Sequence, residues 1–300
     1  MLTQERILIK LFYPFYCFLP MKLFFFIIAA GIVFPFSSTA QEINYSGAGS
    51  LSTGGISSVE RNIFSVFSNP AGITGVKHPS VGISYICPYN ITKLSNRSVS
   101  AVAPTRLGHF SAYYAQSGYS LSLMNLFGAS YARTFGNAVS ASLSFNGIRH
   151  RLDYSGSYGG FFATAGIQIF PSGKVTLGFF IKNFSRSKIS YPDRKEDIPV
   201  LFAGGISWYP AEQVGLSAEI EKDDRFDPVC KFGMFYKPVH FLVLRGGVKG
   251  TPVEISFGAG YISGFFSIDI GMAYHQQLGI TSGASLRLSL VKQHSAVSKE

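Results

Sequence analysis

Seven charged residues, Lys182, Glu219, Glu221, Arg245, Lys249, Glu254 and Arg287, fall on the polar phase of segments that alternate between apolar and polar side chains. Successive side chains on a strand point to opposite faces, so these charges share the face opposite a greasy one. Such a set suits a charged pathway for a solute, or an ion-pair network filling a narrow, plugged interior. Network filling is the expectation here. Other chemistry is poorly served. The run Glu221-Lys222-Asp223-Asp224-Arg225-Phe226-Asp227 is rich in carboxylates. A calcium loop, however, needs alternating oxygen ligands, a Gly and a closing Glu, and Lys222 and Arg225 interrupt it. None of the six His forms a metal-binding i, i+4 pair. Ser, His and Asp occur without a nucleophile elbow around them. The sequence therefore assigns no catalytic residue, metal or cofactor, and a non-enzymatic protein is expected. A second basic set, Lys93, Arg97, Arg149, His150, Arg151, Arg186, Lys188, Arg194 and Lys195, falls in polar connections. The arginine fork suits phosphate, which makes lipopolysaccharide phosphates candidate contacts; an ordinary solvated loop surface is the alternative reading.

The elements that would hold these residues are short alternating strands. In residues 253–261 the odd positions are Val, Ile, Phe, Ala and Tyr, and the even positions are Glu, Ser, Gly and Gly. Val214, Leu216, Ala218 and Ile220 alternate with small or acidic residues. Val175, Leu177, Phe179 and Ile181 alternate with Thr176, Gly178, Phe180 and Lys182, and Leu286, Leu288 and Leu290 with Arg287 and Ser289. Tight turns are expected at residues 104–106, 135–137, 171–173, 210–213, 237–239 and 262–263. Longer polar loops are expected near 87–97, 117–124, 148–158, 185–199, 222–228, 249–252 and 275–280. Short turns on one side and longer loops on the other describe an outer-membrane barrel, with the short side periplasmic. The count is about 14 strands, an even number that puts both mature termini in the periplasm. Residues 80–291 would form the barrel and 292–300 a periplasmic tail. The fold class expected is all-β: a transmembrane antiparallel β-barrel of about 14 strands with a short N-terminal helical plug.

Composition agrees. Only 14% of residues are charged, against about 25% in soluble domains. Aromatics reach 15%, with 28 Phe and 16 Tyr, and there are 32 Gly. A soluble β-sandwich shares the alternation but not the low charge. The formal net charge is +10; Arg6, Lys10 and Lys22 against Glu5 account for +2 of it, leaving +8 on residues 41–300. Positive charge often marks nucleic-acid binders, but an exported chain meets anionic lipid instead, so no nucleic-acid partner is expected. Cys87 and Cys230, the two cysteines beyond the leader, lie on strands the topology does not place side by side.

The N-terminal region reads differently. Lys22, an apolar stretch over 23–36 and Ser38-Thr39-Ala40 make residues 21–40 a cleaved signal peptide. Residues 1–20, cut by Pro14 and Pro20, read as an upstream over-extension of the start. Residues 41–79 would be the plug. Within it, 46–55 is rich in Gly and Ser and expected to be irregular. Residues 56–67 carry Ile56, Val59, Ile63, Val66 and Phe67 near helical spacing, with Ser57 or Ser58 as cap and Asn69-Pro70 as stop. Ile56, Ile63, Phe64 and Phe67 would pack inside the wall, and Gly72 would take a positive φ at the turn into the first strand.

The stretch Gly47-Ala48-Gly49-Ser50 through Ser68-Asn69-Pro70-Ala71-Gly72-Ile73 resembles the N-terminal plug of FadL-like outer-membrane proteins. The phrase Phe67-Ser68-Asn69-Pro70-Ala71-Gly72, with His275-Gln276-Gln277-Leu278-Gly279 and residues 283–290, is similar to the PorV/PorQ-like branch of Bacteroidetes. That resemblance implies fourteen strands. It further implies an accessory or partner-binding role beside the proteins of type IX secretion. The alternative is passive transport of hydrophobic or small solutes. The chain is shorter than typical fatty-acid transporters and carries no long apolar loop to catch a lipid.

Overall fold

The computed structural model describes residues 46–290, apart from 154–155, 192–193 and 251. The expected signal peptide, residues 41–45 and the tail at 292–300 lie outside the described residues.

Fourteen antiparallel strands close into a barrel. In chain order they are β1 (Ser80–Cys87), β2 (Asn96–Thr105), β3 (Gly108–Tyr119), β4 (Ser122–Phe135), β5 (Val139–Leu152), β6 (Gly156–Ser172), β7 (Val175–Lys182), β10 (Leu201–Ala211), β11 (Val214–Asp223), β12 (Val229–Val239), β13 (Leu242–Lys249), β14 (Glu254–Ile262), β15 (Phe266–His275) and β16 (Gly279–Ser289). Each pairs with its neighbours in order, and β1 returns to pair with β16 from Ser80↔Ser289 to Cys87↔Ser282. Between β7 and β10 a small ribbon of β8 (Lys188–Ser190) and β9 (Lys195–Asp197) stands apart from the barrel sheet. No helix among the described residues is long and apolar enough to cross a membrane.

The exterior is greasy. Phe161 is 76% exposed, Phe145 69%, Ile270 58% and Phe257 54%. In water those side chains would each forgo roughly 1.5–3 kcal/mol of burial, so their natural solvent is lipid. Connections differ between the two ends. Short turns join β2–β3, β4–β5, β6–β7, β10–β11, β12–β13 and β14–β15. Three of these hairpins carry a register shift, at Ile169/Ser172, Trp208/Ala211 and Tyr236/Val239. Such bulges bend and tighten a strand at a barrel rim. We call this the turn end and the opposite one the loop end.

Two expected loops are mostly strand. Residues 117–124 contain only the tight connection between β3 and β4, and 148–158 lie largely within β5 and β6. Polar side chains suggested loops, but β4 and β5 run 14 residues and β6 17. A spanning strand needs about 9–11, so these strands continue past the apolar belt and become polar there. The turn expected at 237–239 falls instead after Val239, which still belongs to β12.

The plug departs from expectation in its helices. The Gly/Ser stretch contains α1 (Ala48–Ser52), whereas residues 56–62 are not helical. Two 3₁₀ turns follow, Ile63–Phe67 and Pro70–Gly75. Asn62, not Ser57 or Ser58, caps the first, its side chain accepting from Phe64 N–H. Pro70 opens the second turn rather than ending a helix, which fits its fixed φ and missing N–H at a first helical position. Gly72 does not take a positive φ. It is glycine because a β-carbon there would collide with the Glu60 carbonyl oxygen and meet Ser65 Oγ at 2.6 Å. Apolar spacing misled because these residues answer to the barrel wall on several sides, not to one helix face.

Candidate functional site

The plug divides the lumen. On one side, Ile63, Phe64, Val66, Phe67, Ile73 and Val76 pack with Val102 of β2, Tyr113 and Ala115 of β3, Leu126 and Ala132 of β4 and Phe162 of β6. Phe67 meets Tyr113 edge-on at 4.9 Å between centroids. Ile189 and Ile198 of the ribbon join this cluster, so the ribbon folds over the tall β4–β6 wall. There His150 Nδ1 and Tyr191 Oη lie 2.8 Å apart. Burial, with the nearby Glu196 carboxylate adding to it, raises the Tyr191 hydroxyl above its ordinary pKa. Asn183, in the left-handed region at φ 54, donates from Nδ2 to the Ile198 carbonyl at 2.6 Å and fixes the ribbon's base.

The other side, along β10–β15, is polar and charged. Glu219 of β11 lies directly opposite Lys231 of β12. Lys231 Nζ donates to Glu219 Oε1 at 2.9 Å, to Glu221 Oε2 at 2.7 Å and to the Gly55 carbonyl at 3.0 Å. Glu219 Oε2 in turn accepts from Ser57 N–H at 2.8 Å and Ser58 N–H at 2.6 Å. The wall thus grips plug backbone through a buried ion pair. Gln168 of β6, three strands along the wall from β11, grips it as well, donating to the carbonyls of Ser58 at 3.0 Å and Glu60 at 2.9 Å. Asn69 Nδ2 also donates to Ser58 O, at 2.6 Å. Nearer the turn end, Arg245 of β13 reaches Asp269 of β15 at 2.6 Å. It passes over Gly260 of the intervening β14, where a β-carbon would lie 2.7 Å from Arg245 Nη1.

Glycines on the inner wall set how close the plug can come. A β-carbon at Gly178 would collide with the Ser58 carbonyl, one at Gly247 with Gly54 N, and one at Gly258 with Ser52 Oγ. At Gly233 it would lie 2.6 Å from the Thr53 carbonyl. Close approach, rather than turn geometry, accounts for these inward-facing glycines.

Two cavities lie on either side of α1 and residues 53–58. The loop-end cavity has a volume of about 400 Å³. Leu51, Phe67, Ile86, Phe180 and Leu201 give it apolar wall, and Lys182, Glu221, Lys231, Lys249 and Glu254 give it charge. The turn-end cavity, about 180 Å³, is lined by Ser50, Thr53, Ile56, Glu60, Arg245 and Asp269, among others. Leu51, Gly54, Gly55 and Ser57 face the first cavity, whereas Ser50, Thr53 and Ile56 face the second.

Of the seven charges singled out in the sequence, Lys182, Glu221, Lys249 and Glu254 line the loop-end cavity, Arg245 lines the other, and Glu219 lies at the plug. Arg287 sits on the inward phase of β16, between Gly82 of β1 and Ser267 of β15. Ile56, Ile63, Phe64, Phe67 and Asn69 are all buried. Lys231, Asp269 and Gln168 were missed. Lys231 stands between Cys230 and Phe232, a cue that alternation offers but a single lysine among aromatics obscures. The basic residues separate. Arg97, Arg149 and Arg151 lie exposed on barrel strands. Lys188 pairs with Asp197 at 2.8 Å and Arg194 with Glu196 at 3.8 Å in the ribbon, where Arg186 and Lys195 are also exposed. Lys93 lies over the Tyr119 ring at 5.5 Å.

No family model matches the sequence, and no curated protein matches it. Solved structures do. The Ralstonia pickettii toluene transporter TbuX aligns with a TM-score of 0.62 at 12% identity, over 81% of this chain and 98% of that one. The CymD monoaromatic hydrocarbon channel aligns with a TM-score of 0.63 at 14% identity, over 83% and 98%. A Pseudomonas aeruginosa FadL homologue gives 0.58 at 12%, over 82% and 98%. At such identities the likeness is one of fold: the chain has the fold of the FadL-like hydrocarbon channels.

Proposed function

We propose that the protein is a non-enzymatic channel of a bacterial outer membrane that passes small hydrophobic or amphipathic solutes passively. The loop end faces outward, and both mature termini lie in the periplasm, as an even number of strands with short periplasmic turns requires. The observation that carries the reading is the pair of cavities separated by a segment only a few residues thick. A solute enters the loop-end cavity, whose volume lies within the common range for ligand pockets, roughly 300–1,000 Å³. Apolar wall beside charge suits a cargo with a greasy body and a polar group. Passage then needs residues 53–58 to shift and join the two cavities. Similar folds belong to proteins described as transporters of toluene and channels for monoaromatic hydrocarbons, which supports monoaromatic compounds as the first cargo to try.

The accessory role in type IX secretion implied by the PorV/PorQ-like resemblance rests on residues 67–72 and 275–290 alone. Transport is the stronger reading, because the similar solved structures are transport channels.

The test uses cells whose lipopolysaccharide-bearing outer membrane carries the protein, because toluene crosses a plain phospholipid bilayer unaided. Such cells should take up radiolabelled toluene at low concentration faster than cells lacking the protein, and a purified variant lacking residues 46–58 should show higher ion conductance in planar bilayers. Uptake no faster than in cells lacking the protein, with secretion lost on gene deletion, would reverse the order of the two readings.

A further inference from the structure

We propose that the outer surface of β2–β5 at the loop end is a docking site for the two phosphates of a lipopolysaccharide-type glycolipid. This rests on the placement of the barrel in an outer membrane with that end outward. The strand register assembles the site. Arg97 of β2 pairs with Gln116 of β3, Gln116 with Asn125 of β4, and Asn125 with Arg149 of β5. The four lie in one hydrogen-bonded row, on the outward phase of their strands. The next outward-facing row toward the belt is Val99, Tyr114, Phe127 and Gly147, followed by Phe161 of β6. Val99, Tyr114 and Phe127 are 40–42% exposed. A cationic, amide-bearing row thus borders directly on apolar surface, the order in which a lipid presents headgroup and acyl chains. Arg151 lies one outward position beyond Arg149, beside Leu123 and Ser157.

Charge complementarity selects the partner. At the loop end, residues 80–172 hold Lys93, Arg97, Arg149 and Arg151 against a single acid, Asp153, whereas Arg106 and Arg133 lie at the turn end. The ion pairs described for the basic residues of the ribbon, Lys188–Asp197 and Arg194–Glu196, lie elsewhere. The middle of the row is ordered. Tyr114 Oη donates to Asn125 Oδ1 at 2.6 Å, and Gln116 Nε2 donates to the same oxygen at 3.2 Å. The Asn125 acceptor is therefore occupied, and its amide nitrogen is the donor it offers outward. Strands lie about 4.8 Å apart, so three steps put the Arg97 and Arg149 backbones about 14 Å apart. Two forks at that separation suit two phosphates on one sugar headgroup better than the single phosphate of a phospholipid.

The experiment measures binding of bisphosphorylated lipid A, monophosphorylated lipid A and phosphatidylglycerol to purified full-length protein in detergent, by displacement of a fluorescent lipid A. Wild type should prefer the bisphosphorylated glycolipid to phosphatidylglycerol by about tenfold. Arg97→Gln with Arg149→Gln should lose that preference, whereas Lys188→Gln in the ribbon should keep it. Should the double variant fail to fold, each single variant should still show about a threefold loss. Equal binding by wild type and the arginine variants, or equal affinity for phosphatidylglycerol, overturns the site. Heat-modifiable mobility and insertion into bilayers are read on the same samples. Wild type that inserts without selective binding defeats the docking site alone, and wild type that never inserts defeats the membrane placement as well.

Discussion

Ser58 and Glu219 lie 161 residues apart, yet the Ser58 N–H donates to Glu219 Oε2 at 2.6 Å in the middle of the lumen. That contact joins plug backbone to wall through a carboxylate already held by Lys231. It adds a buried ion pair to the grip that Gln168 and the apolar cluster of Ile63, Phe64 and Phe67 have on the plug.

Breaking that pair should loosen the plug. Removing one partner of a buried ion pair costs about 3–5 kcal/mol, since the other charge is left uncompensated. Lys231→Met should therefore raise the open probability in planar bilayers while heat-modifiable mobility stays normal. Glu219→Gln keeps an acceptor for the Ser57 and Ser58 N–H groups and should have the smaller effect. Equal, wild-type conductance in both would show that the pair does not hold the plug.

Adding a side chain to the inner wall should displace the plug by steric crowding, and at Gly247 it also presses on the Gly54 N–H that donates to Ser256 Oγ at 2.8 Å. Gly247→Val places a β-carbon against Gly54 N. The neighbouring Gly246 points outward, where the nearest atom to a β-carbon would be 3.9 Å away. Gly247→Val should increase conductance and protease access to residues 53–58, and Gly246→Val should do neither.

Depth should govern the cost of charge on the lipid face. Ile270, 58% exposed, sits mid-strand in β15, whereas Leu288, 45% exposed, lies next to the last residue of β16. Arg on the lipid face costs about 2–4 kcal/mol at the midplane and about 0–1 near the interfaces. Ile270→Arg should lower the midpoint of urea unfolding in vesicles well below that of Leu288→Arg. Arg287→Leu, on the inward phase, should insert normally. Equal midpoints would displace the belt.

Much of the barrel is legible in the sequence because lipid-facing strands must keep period two. Ile255, Phe257 and Tyr261 face outward while Glu254 and Ser256 are buried, and turn residues mark one end. The plug is harder to read. Its residues satisfy a curved wall, so Ile63 is buried without belonging to an amphipathic helix, and the cap is Asn62 where Ser57 or Ser58 is the expectation from sequence. Lys231 was hidden by its aromatic setting, and its partner Glu219 was visible only as a charge. Which charges meet depends on register across neighbouring strands, and a single chain does not spell out register. The inner-wall glycines read as composition alone until the plug is seen against them.

The seam of the barrel has a consequence for assembly. Strand β1 must find β16 some 200 residues later, a pairing of high sequence separation that is slow to form for want of local contacts. Helix α1 precedes β1 in the chain, with residues 53–79 between them, and its Ala48 N–H donates to Ser285 Oγ of β16 at 3.1 Å. The earliest part of the plug is therefore a template on which the final strand can dock before the ring shuts. Ser285→Ala and Gly271→Val, which would crowd Ala48 and Ser52, should slow the appearance of the heat-modifiable form during refolding into vesicles. Their unfolding rates should change less, because the nucleus, not the finished wall, is what they disturb. The segment that closes the pore would then also be the scaffold on which the pore is built.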